Sequence, residues 1–417
     1  MTTPTNSPPL RPARRARAPV LSLYQLLDPA VLADPYELYD KLRAEAPVLW
    51  DPYLHAWVVT RYADVVTVLH RFSAERTPTP EQFEAMGLGM LTPLAAVMVK
   101  QMLFLDGKAH GRLRQLAAHA FTPARVEMLR GRIATIVEGL LDKVQEAGTM
   151  DVIADLAYPL PAIVTAELLG VPSTDCDKLK AWSEDFAQVL GNFQHNPDYV
   201  PQVLRSLEEM SAYFHDAVRD QRANPREGLV SALLAAEVDG DRLDEEEIVA
   251  NLIVTMVGGQ ETTTNLIGNG MLTLLRRPEA LRFLAGHPEH MATAVEELLR
   301  YESPSQHTAR IAREDTLLGG KVIQKGQAVI AVVGAANRDP AQFPDPHTLD
   351  LTRQPNRHVA FGWAAHFCFG APLARLEGRT AFETLLRRMP ALALGPEPLV
   401  WRDNLGLRGL TALPVSF

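Results

Sequence analysis

Apolar side chains recur at helical spacing along most of the chain, and short β-type runs are fewer. Residues 35–44 predict a helix, with Asp34 placed to cap it and Pro35 in its first turn. The apolar runs at 48–50 and 56–60, separated by a turn-forming segment, predict a β-hairpin. Further helices are predicted at residues 65–69, from residue 101 onward, at 126–144, 153–169 and 178–190, and in a segment that ends near residue 222. This pattern favours a mainly α-helical protein with a small β-rich portion.

One predicted helix is long enough to cross a whole domain. Asp244, followed three residues later by Glu247, forms a capping-box start, and apolar spacing continues to Leu275 before Pro278 ends the helix. About 30 residues at 1.5 Å each make this helix roughly 45 Å long. Two adjacent glycines interrupt its middle, and each costs about 1 kcal/mol relative to alanine. Their presence therefore requires a structural or functional reason.

The polar interruption of the long helix is the sequence GGQETT at residues 258–263. Thr262 is placed to bond back to the carbonyl of Gly258, four residues earlier, which would open the helix locally. Two explanations fit the glycines. One is a helix–helix crossing that requires small residues, and the other is the close approach of a flat cofactor or a small diatomic ligand to the backbone.

The predicted β-structure lies mostly in the C-terminal half. Residues 308–312 predict a strand that carries Arg310, and residues 315–333 contain two β-rich runs around a glycine turn. Residues 404–410 predict a glycine-containing turn. Residues 77–94 contain three prolines and several apolar side chains, which predict a loop. A loop of that length is unusual in a compact domain unless it has a function.

The composition is that of a globular protein of ordinary polarity. The 417 residues are 47% hydrophobic and 22% charged, which allows a large core. A net charge of −9 gives no electrostatic support for nucleic-acid binding. The only two cysteines, Cys176 and Cys368, argue against a disulfide framework and fit a reducing compartment.

Neither a membrane span nor an export signal is predicted. No stretch reaches the roughly 18 consecutive apolar residues that a membrane span requires. Residues 1–20 are rich in Pro, Thr and Arg, and no adequate apolar run follows their arginines, so they predict a disordered tail. We therefore expect a cytoplasmic protein with no membrane or nucleic-acid partner and a single domain over residues 21–417.

Cys368 lies in the segment FGWAAHFCFGAPLAR at residues 361–375, which leads into an apolar helix beginning at about Gly370. Unpaired amides and the helix dipole at such an N-terminus favour a thiolate. A structural buried cysteine is the default interpretation. A nucleophile would use His366 as its base, although no third orienting group is recognisable nearby. Zinc usually requires four ligands where this stretch supplies two. The remaining interpretation is a single axial thiolate on a haem iron.

This segment resembles the haem-binding signature of cytochrome P450 monooxygenases, Phe-Gly-x-Gly-x-His-x-Cys-x-Gly followed by Leu-Ala-Arg. The sequence matches the signature at Phe361, Gly362, His366, Cys368, Gly370, Leu373, Ala374 and Arg375. It departs from it at Ala364, where the family usually has glycine. If that position requires a positive φ, alanine costs about 1 kcal/mol. The resemblance covers nearly the whole chain from about Asp34 and implies that Cys368 is the axial ligand of the iron in haem b.

The resemblance extends to the polar interruption of the long helix, which is similar to the oxygen-activation motif of the same family. It implies that Thr262 stabilises iron-bound oxygen and that Glu261 helps to relay protons. It also implies a P450 fold, with the haem between the long central helix and the Cys368 loop. It implies that two histidines and two arginines bind the haem propionates, namely His110, Arg114, Arg310 and His366. The other residues implied to contact the cofactor are Gly258, Phe361 and Gly370.

Other matches imply structural roles. Glu297 and Arg300 match the Glu-x-x-Arg of the family, and Arg353 fits the third member of that set, which serves folding and haem retention. Taken alone, Glu297 and Arg300 would be an ordinary surface ion pair. His358 is given a local structural role.

The substrate pocket implied by the resemblance is mostly apolar. Its residues are Met90, Leu91, Val189, Val254, Val257, Gln306 and Leu407, with Phe186, Leu190 and Phe193 as further candidates. For each of these residues taken singly, ordinary core packing is the stronger interpretation.

The function implied by the resemblance is insertion of one atom of O2 into a hydrophobic organic substrate, by hydroxylation or epoxidation. A polyketide, terpenoid or peptide-like natural product is the expected substrate class. Two electrons would come from a ferredoxin and an NAD(P)H-dependent ferredoxin reductase, docking on the Cys368 side near Arg112, Arg125 and Arg375.

Four alternatives remain open at this point. Within the family, they are oxidative coupling and peroxide-driven oxidation. A non-catalytic haem-binding sensor would keep Cys368 but would not need Glu261 or Thr262. A helical hydrolase with Cys368 as its nucleophile would purify colourless and react with thiol reagents.

Overall fold

The computed structural model of the protein describes residues 21–120, 122–191, 197–237 and 242–417. The helices in chain order are α1 (Pro29–Ala33), α2 (Tyr36–Glu45), α3 (Tyr62–Arg71), α4 (Pro80–Ala85), α5 (Thr92–Met98), α6 (Gly107–Ala120), α7 (Pro123–Met128), α8 (Arg130–Asp142), α9 (Pro159–Leu169), α10 (Cys176–Gly191), α11 (Val200–Ala223), α12 (Leu229–Ala235), α13 (Glu245–Leu275), α14 (Pro278–Gly286), α15 (Met291–Tyr301), α16 (Val333–Ala336) and α17 (Ala371–Arg388). The predicted tail, residues 1–20, lies outside the described residues.

The strands are short and form three sheets in the described part of the chain. They are β1 (Val48–Asp51), β2 (Ala56–Val59), β3 (Thr149–Asp151), β4 (Thr308–Ile311), β5 (Thr316–Leu318), β6 (Lys321–Ile323), β7 (Ala328–Ala331), β8 (Ala393–Leu394) and β9 (Pro414–Ser416). The sheet orders are β1-β2-β7-β4, β3-β9-β8 and β5-β6. The mainly α-helical fold with a small β-rich portion is therefore confirmed.

The β1–β2 hairpin confirms the sequence prediction, with Val48 opposite Val59 in an antiparallel pair. β7 runs parallel to β2 and antiparallel to β4. The sheet therefore joins the beginning of the chain to the strand that carries Arg310. The two-stranded β5–β6 pair lies at the predicted glycine turn.

The long central helix, α13, begins as predicted. The side chain of Asp244 accepts a hydrogen bond from the Glu247 N–H, and the Glu247 carboxylate accepts one from the Asp244 N–H. The N-terminal half of α13 is buried in one apolar cluster with α10 and α11, around Phe186 and Phe214. Its C-terminal half is buried in another cluster with α8, α15 and α17. The glycine-rich segment at 258–263 lies between these two cores.

The prediction of a continuous loop at residues 77–94 was wrong. This segment contains α4, a 3-10 turn at Gly89–Leu91 and the beginning of α5. The side chains of Thr79 and Gln82 form a capping box at the start of α4. A proline lies in the first turn of each helix, where its missing N–H has no intrahelical partner to lose. Pro80 and Pro93 therefore lie in the first turns of helices, whereas the sequence pattern predicts a loop around them.

Two predicted helices are each divided in the structure. The predicted helix at 126–144 consists of α7 and α8, which meet at Leu129. The predicted helix at 153–169 consists of a π-helical turn, Ile153–Ala157, followed by α9, which begins at Pro159. Apolar spacing continues through both breaks, so the periodicity alone does not reveal them.

Candidate functional site

The middle of α13 borders an open space inside the molecule. Gly258 is exposed, although Val257 before it and Gln260 and Glu261 shortly after it are buried. A Cβ added at Gly258 would meet no other atom within 4 Å. The Thr262 hydroxyl donates a hydrogen bond of 2.9 Å to the Gly258 carbonyl, as the sequence predicts. One face of α13 therefore offers bare backbone and a hydroxyl to this space.

Cys368 lies near the same part of α13. Phe369, the next residue, and Thr255, which precedes Gly258 by almost one helical turn, line one small apolar cavity. Cys368 itself is exposed. Because this cavity joins the two elements, we use the term cleft for the region between the middle of α13, with Gly258 and Thr262, and the loop that carries Cys368. A flat group in the cleft would have α13 on one side and the Cys368 loop on the other.

The backbone of the Cys368 loop is held by its own hydrogen bonds. The Cys368 N–H donates to the Phe361 carbonyl at 2.7 Å, and the Gly362 N–H donates to the Val359 carbonyl at 2.9 Å. Gly362 has a φ of +74°, and a Cβ there would lie 3.1 Å from the His366 carbonyl oxygen. A glycine is therefore required at residue 362.

Ala364 also adopts a left-handed conformation, with a φ of +55°. This is the position where the family signature usually has glycine. The turn thus keeps the geometry that glycine would allow, and alanine bears a strain of about 1–2 kcal/mol. Alanine at residue 364 therefore keeps the left-handed backbone conformation of the turn but makes the loop less stable.

Opposing effects act on the Cys368 thiol. Although the side chain is exposed to the cleft, the surrounding protein desolvates it and raises the pKa of the thiol. The Gly370 and Ala371 amides at the start of α17 lower that pKa, as does the positive charge of Arg114. A metal cation bonded to the sulfur would favour the thiolate further.

The site has one sulfur ligand and no chelating cluster. No three His, Cys, Asp or Glu side chains converge as possible ligands of a metal ion within the described ranges. A single thiolate suits a haem iron, whose remaining equatorial ligands come from the porphyrin.

Two of the predicted cofactor residues, His110 and His366, lie against each other with their ring centroids 4.2 Å apart. His366 Nε2 lies 3.3 Å from a carboxylate oxygen of Asp106. Burial lowers the pKa of His110, and burial together with the charge of Arg310 lowers that of His366 to about 4. Both imidazoles are therefore neutral near pH 7 and act as hydrogen-bonding groups.

Arg310, on β4, is 4% exposed. Its Nη1 donates to the Thr308 hydroxyl at 3.0 Å and to the Ala309 carbonyl at 2.8 Å. Its Nε is buried and has no hydrogen-bond partner. Burial lowers the pKa of Arg310 to about 10, so the guanidinium stays charged at neutral pH. A buried cation with an unsatisfied donor fits a carboxylate ligand such as a haem propionate.

Asp106 and Arg76 complete this group and were missed by the sequence reading. Burial would raise the pKa of Asp106, but hydrogen bonds from Ser73 and His366 and the charge of Arg313 hold it below its usual value. The Arg76 guanidinium lies 4.5 Å from the centroid of the Phe104 ring, and burial lowers its pKa to about 9. The position of Asp106 four residues before His110, one helical turn away, was the available signal.

Arg114 lies on the Cys368 side of the cleft. It donates a hydrogen bond to the Phe367 carbonyl and lies 5.8 Å from the centroid of the Phe369 ring. It therefore ties α6 to the two residues that flank Cys368. Phe361, also predicted, packs under Arg375, whose guanidinium lies 4.5 Å from the ring centroid.

Glu261 points away from solvent and is 5% exposed. Burial raises the pKa of its carboxyl group, and the charge of Arg402 opposes this effect. Arg402 Nη1 lies 2.9 Å from Glu261 Oε2. Arg402 also lines an open pocket of about 470 Å³ with Tyr158, Lys180 and Glu184. The sequence reading missed Arg402 because 141 positions separate it from Glu261 along the chain.

Glu297, Arg300 and Arg353 meet in the core. Arg300 donates two hydrogen bonds of 2.7 Å to the Glu297 carboxylate, and Arg353 Nε lies 3.2 Å from the same group. The Glu297 and Arg300 side chains are fully buried. Arg300 also binds three backbone carbonyls in the segment before the Cys368 loop, at residues Asn337, Pro346 and Thr348. This ion network thus attaches α15 to that segment.

His358 belongs to a neighbouring contact. Its Nε2 lies 3.2 Å from Glu296, which also accepts hydrogen bonds of 2.6 and 2.8 Å from Arg375. Burial would raise the pKa of Glu296, but these two partners lower it to about 2. Glu296 was not identified from sequence, because a glutamate on the polar side of a helix has many possible roles.

The predicted pocket residues occupy different environments. Val189, Val254, Leu91 and Leu407 are half-buried, and Met90 is 61% exposed. Val189 and Leu407 pack against the same apolar cluster. Val257 and Gln306 are buried at 1% and 2% exposure, and Gln306 binds the Ser303 carbonyl at 2.7 Å. Phe186 is fully buried in the core, Leu190 is half-buried, and Phe193 lies outside the described residues.

Among the described residues, no helix is both long and apolar enough to cross a membrane.

Comparisons with known proteins agree with this geometry. The family model described as Cytochrome P450 matches residues 79–284 and 289–392. The chain is 40% identical to a biotin biosynthesis cytochrome P450 from Bacillus subtilis, over 93% of this chain and 97% of the relative. It is 41% identical to the cytochrome P450 monooxygenase PikC from Streptomyces venezuelae, over 96% and 95% of the two chains. The crystal structure of P450BioI in complex with an acyl carrier protein ligated to hexadec-9Z-enoic acid superposes with a TM-score of 0.88, at 38% identity, covering 93% of this chain and 99% of that one.

Proposed function

The chain belongs to the cytochrome P450 family, and from that premise we propose which residues bind the cofactor, move protons and hold the substrate. Its reaction is haem-dependent monooxygenation. One atom of O2 enters an organic substrate and the other leaves as water, with two electrons supplied from outside the chain. We further propose that residues 21–417 act as one catalytic unit, which is supported by the sheet that joins β2 to β7.

Haem b is the cofactor, and we assign Cys368 as its axial ligand. When bound, a haem with a thiolate ligand supplies the activation of O2. The observation that supports this assignment most directly is the exposure of Cys368 to the cleft at the N-terminus of α17. His110, His366 and Arg310 would hold the propionates, and the buried Nε of Arg310 has a hydrogen bond left to donate. Arg114 would hold the loop that carries the ligand.

Thr262 and Glu261 are assigned to proton delivery. The Thr262 hydroxyl is exposed to the cleft and kept in place by its bond to the Gly258 carbonyl. Glu261 is the residue before Thr262 and is buried. Burial raises the pKa of its carboxyl group and so favours the protonated form. The ion pair with Arg402 connects Glu261 to the open pocket, and so to solvent. These groups would bring a proton to the cleft without admitting bulk water.

The substrate is proposed to be a bulky hydrophobic molecule. Leu91, Val189, Val254 and Leu407 are apolar and half-buried, as expected for side chains that a ligand would cover. Relatives of this chain are named for polyketide biosynthesis, biotin biosynthesis and 6-deoxyerythronolide B hydroxylation. A polyketide, terpenoid, acyl-chain or peptide-like natural product fits this setting.

Redox partners supply the electrons, and we propose a ferredoxin with its NAD(P)H-dependent reductase. The arginines expected at the docking surface are partly neutralised. Arg112 lies 2.7 Å from Glu247, and Arg375 lies 2.6 Å from Glu296. Arg125 is exposed. The positive field on the Cys368 side is therefore weaker than a count of arginines indicates. A cytoplasmic location is proposed as well, and two free cysteines are consistent with it.

The test of the proposed function is the absorption spectrum of the purified protein, reduced under carbon monoxide after expression with a haem supply. A thiolate–iron bond gives a strongly red-shifted Soret band, which we expect for the natural protein and not for Cys368→Ser. Cys176→Ser is the matched control and should keep the band. A colourless protein, or an unshifted band in the natural protein, would overturn the assignment.

A further inference from the structure

The segment between α3 and α4 is paired with the end of β4. The Ser73 N–H donates to the Ile311 carbonyl at 2.8 Å, and the Ile311 N–H donates to the Ser73 carbonyl at 2.9 Å. Ile311 follows Arg310 directly on β4, and Arg76 comes three residues after Ser73. This backbone pairing therefore brings together two segments that each carry an arginine, although they are far apart in the sequence.

The Arg76 side chain is half-buried and has only uncharged partners for the hydrogen bonds that it donates. Its Nη1 donates to the Ala74 carbonyl at 3.2 Å and to the Leu103 carbonyl at 3.4 Å, which is a long and weak bond. Its guanidinium lies over the Phe104 ring, 4.5 Å from the centroid. The positive charge of Arg76 therefore has no counter-ion among these contacts.

Arg310 is the second cation at this place. It is 4% exposed, its Nη1 donates to two uncharged oxygen atoms, and its buried Nε has no hydrogen-bond partner. Burial and the charge of Arg310 together lower the pKa of Arg76 to about 9. Two interacting positive charges inside a protein are costly unless an anion compensates them.

The acidic group beside these arginines is already paired. Asp106 lies 2.9 Å from Arg313, and it also accepts a hydrogen bond from the Ser73 hydroxyl. Within the described part of the chain, no salt bridge joins a carboxylate to Arg76 or Arg310. The charges of Asp106 and Arg313 offset each other, so one positive charge remains on each of the other two arginines.

Arg114 is engaged elsewhere. The resemblance implies that it binds a propionate, but its guanidinium donates to the Phe367 carbonyl and lies 5.8 Å from the centroid of the Phe369 ring. These contacts place its charge beside the residues that flank Cys368. Arg76 therefore provides a second buried cation next to Arg310, at the place where the motifs alone supply one.

We propose that Arg76 is a haem-binding residue, which forms with Arg310 a two-cation site for the two propionates of haem b. The inference rests on the proposed function, in which haem b is the cofactor. One guanidinium for each carboxylate balances the buried charges, and charge-assisted hydrogen bonds would use donors such as the Arg310 Nε. No motif of the family resemblance includes Arg76.

The test compares two cofactors in the same protein. Haem b carries two ionisable propionates, whereas haem b dimethyl ester carries none, so the ester lacks the charges that Arg76 would bind. The variant is Arg76→Met, which keeps a long apolar side chain beside Phe104. Arg61→Met, at an exposed position before α3, is the matched control. The measurement is the rate of cofactor transfer from the reconstituted holoprotein to an acceptor apoprotein.

With haem b, we expect Arg76→Met to release the cofactor about ten- to a hundredfold faster than the natural protein, because a charge-assisted contact is lost. With the dimethyl ester, the two proteins should differ by less than about twofold, because the ester has no charge to lose. Arg61→Met should match the natural protein with both cofactors. Equal release of haem b by Arg76→Met and the natural protein would overturn the inference. The same acceleration with the ester would also overturn it, because Arg76 would then act through packing alone.

Resonance Raman spectra of the holoprotein give a second answer that needs no reconstitution. The bending modes of the propionates respond to their hydrogen bonds, so they should shift in Arg76→Met and not in Arg61→Met. Arg76→Lys replaces the methionine variant if that variant does not fold, because loss of the planar fork should shift the same modes. Unchanged modes would overturn the inference.

These outcomes are distinct from failure of the proposed function. A natural protein with the red-shifted carbon monoxide band, combined with unchanged propionate modes in the Arg76 variant, would overturn the role of Arg76 alone. A natural protein that binds no haem would overturn both proposals.

Discussion

At the scale of single residues, the molecule keeps several groups in costly states near the cleft. Ala364 has a positive φ, Arg310 has a buried donor without a partner, and Glu261 is a buried carboxyl group. Strained or unsatisfied groups persist where the surrounding structure holds them, and they cluster at functional sites. Glu261 lies on α13, Ala364 in the Cys368 loop and Arg310 on β4, so costly groups occur in three elements that carry proposed site residues.

Thr262→Ala should separate electron consumption from product formation. We expect NADH oxidation to continue, while the yield of product per NADH falls by at least about tenfold and hydrogen peroxide rises, because a proton donor is lost. The control is Thr135→Ala, which removes the same type of bond, to the Gly131 carbonyl at 3.0 Å, at an exposed position of α8. Equal coupling in Thr262→Ala and the natural protein would contradict the assigned role.

Ala364→Gly should stabilise the protein. Relief of the left-handed strain is worth about 1–2 kcal/mol, and the greater freedom of glycine in the unfolded chain costs about 0.4–1 kcal/mol. A net gain of roughly 0.5 kcal/mol in the free energy of unfolding is expected from urea titration. Ala365→Gly, in the same 3-10 turn but without a positive φ, should instead destabilise the protein.

The buried carboxyl group of Glu377, on α17, should make the free energy of unfolding depend on pH. Burial raises the pKa of its carboxyl group to about 8, and its Oε2 has no hydrogen-bond partner. The folded state therefore binds a proton more tightly than the unfolded state. The stabilisation is fully present below the unfolded pKa, about 4.5, and is lost as pH rises toward about 8.

Glu377→Gln should remove this dependence and raise the free energy of unfolding at pH 8 by more than about 1 kcal/mol. Denaturant titrations between pH 5 and pH 8 measure the effect. Glu383→Gln, a half-buried glutamate on the same helix, should leave the pH slope as it is in the natural protein. The same slope in Glu377→Gln and the natural protein would refute the assignment.

At the scale of secondary-structure elements, polar side chains decide how helices meet the irregular segments. The Glu297 network attaches α15 to the segment that leads to the Cys368 loop. Asp106 attaches the start of α6 to His366 in that loop. Irregular backbone has few partners within itself, so such side-chain contacts fix its course.

Glu297→Gln leaves two buried arginines without their carboxylate. We expect a loss of about 3–5 kcal/mol in the free energy of unfolding, because an unpaired buried charge is costly. Haem should also dissociate faster, which transfer to an acceptor apoprotein measures. Glu289→Gln, at an exposed position, is the control and should change neither quantity. A loss under about 1 kcal/mol would show that the network contributes little to folding.

At the scale of the whole molecule, α13 spans both apolar cores and passes the cleft at its middle. Each half of this helix is held by packing, so the exposed Gly258 stays in place although a Cβ there would meet no other atom within 4 Å. The C-terminal segment returns to the same region through Arg402 and Asn404. Among the described residues, the C-terminal segment therefore contacts both α13 and α10.

Reduction by the proposed ferredoxin should slow as ionic strength rises. Charges on exposed surfaces are screened over about 10 Å at 0.1 M salt. Arg125→Gln should lower the second-order rate constant at low salt and reduce its salt dependence. Lys325→Gln, in the exposed turn after β6, is the control. A rate constant independent of salt would argue against electrostatic docking on the Cys368 side.

The sequence by itself determined the helices with strong apolar periodicity, the capping of α13, the Thr262 back-bond and the Cys368 segment. These features depend on neighbours within a few residues, so the local order of side chains is enough to specify them. Through its resemblance to a family, the sequence also predicted that His110, His366 and Arg310 bind the propionates of one cofactor.

Only the tertiary structure decided which distant groups meet. Arg402 beside Glu261, Asp106 beside His366 and Asn404 beside Ala187 are contacts between residues far apart in the chain. The breaks between α7 and α8 and before α9 were equally hidden, because apolar spacing runs through them. Contacts of this kind depend on how the packed cores orient whole elements, and no local pattern of residues encodes that orientation.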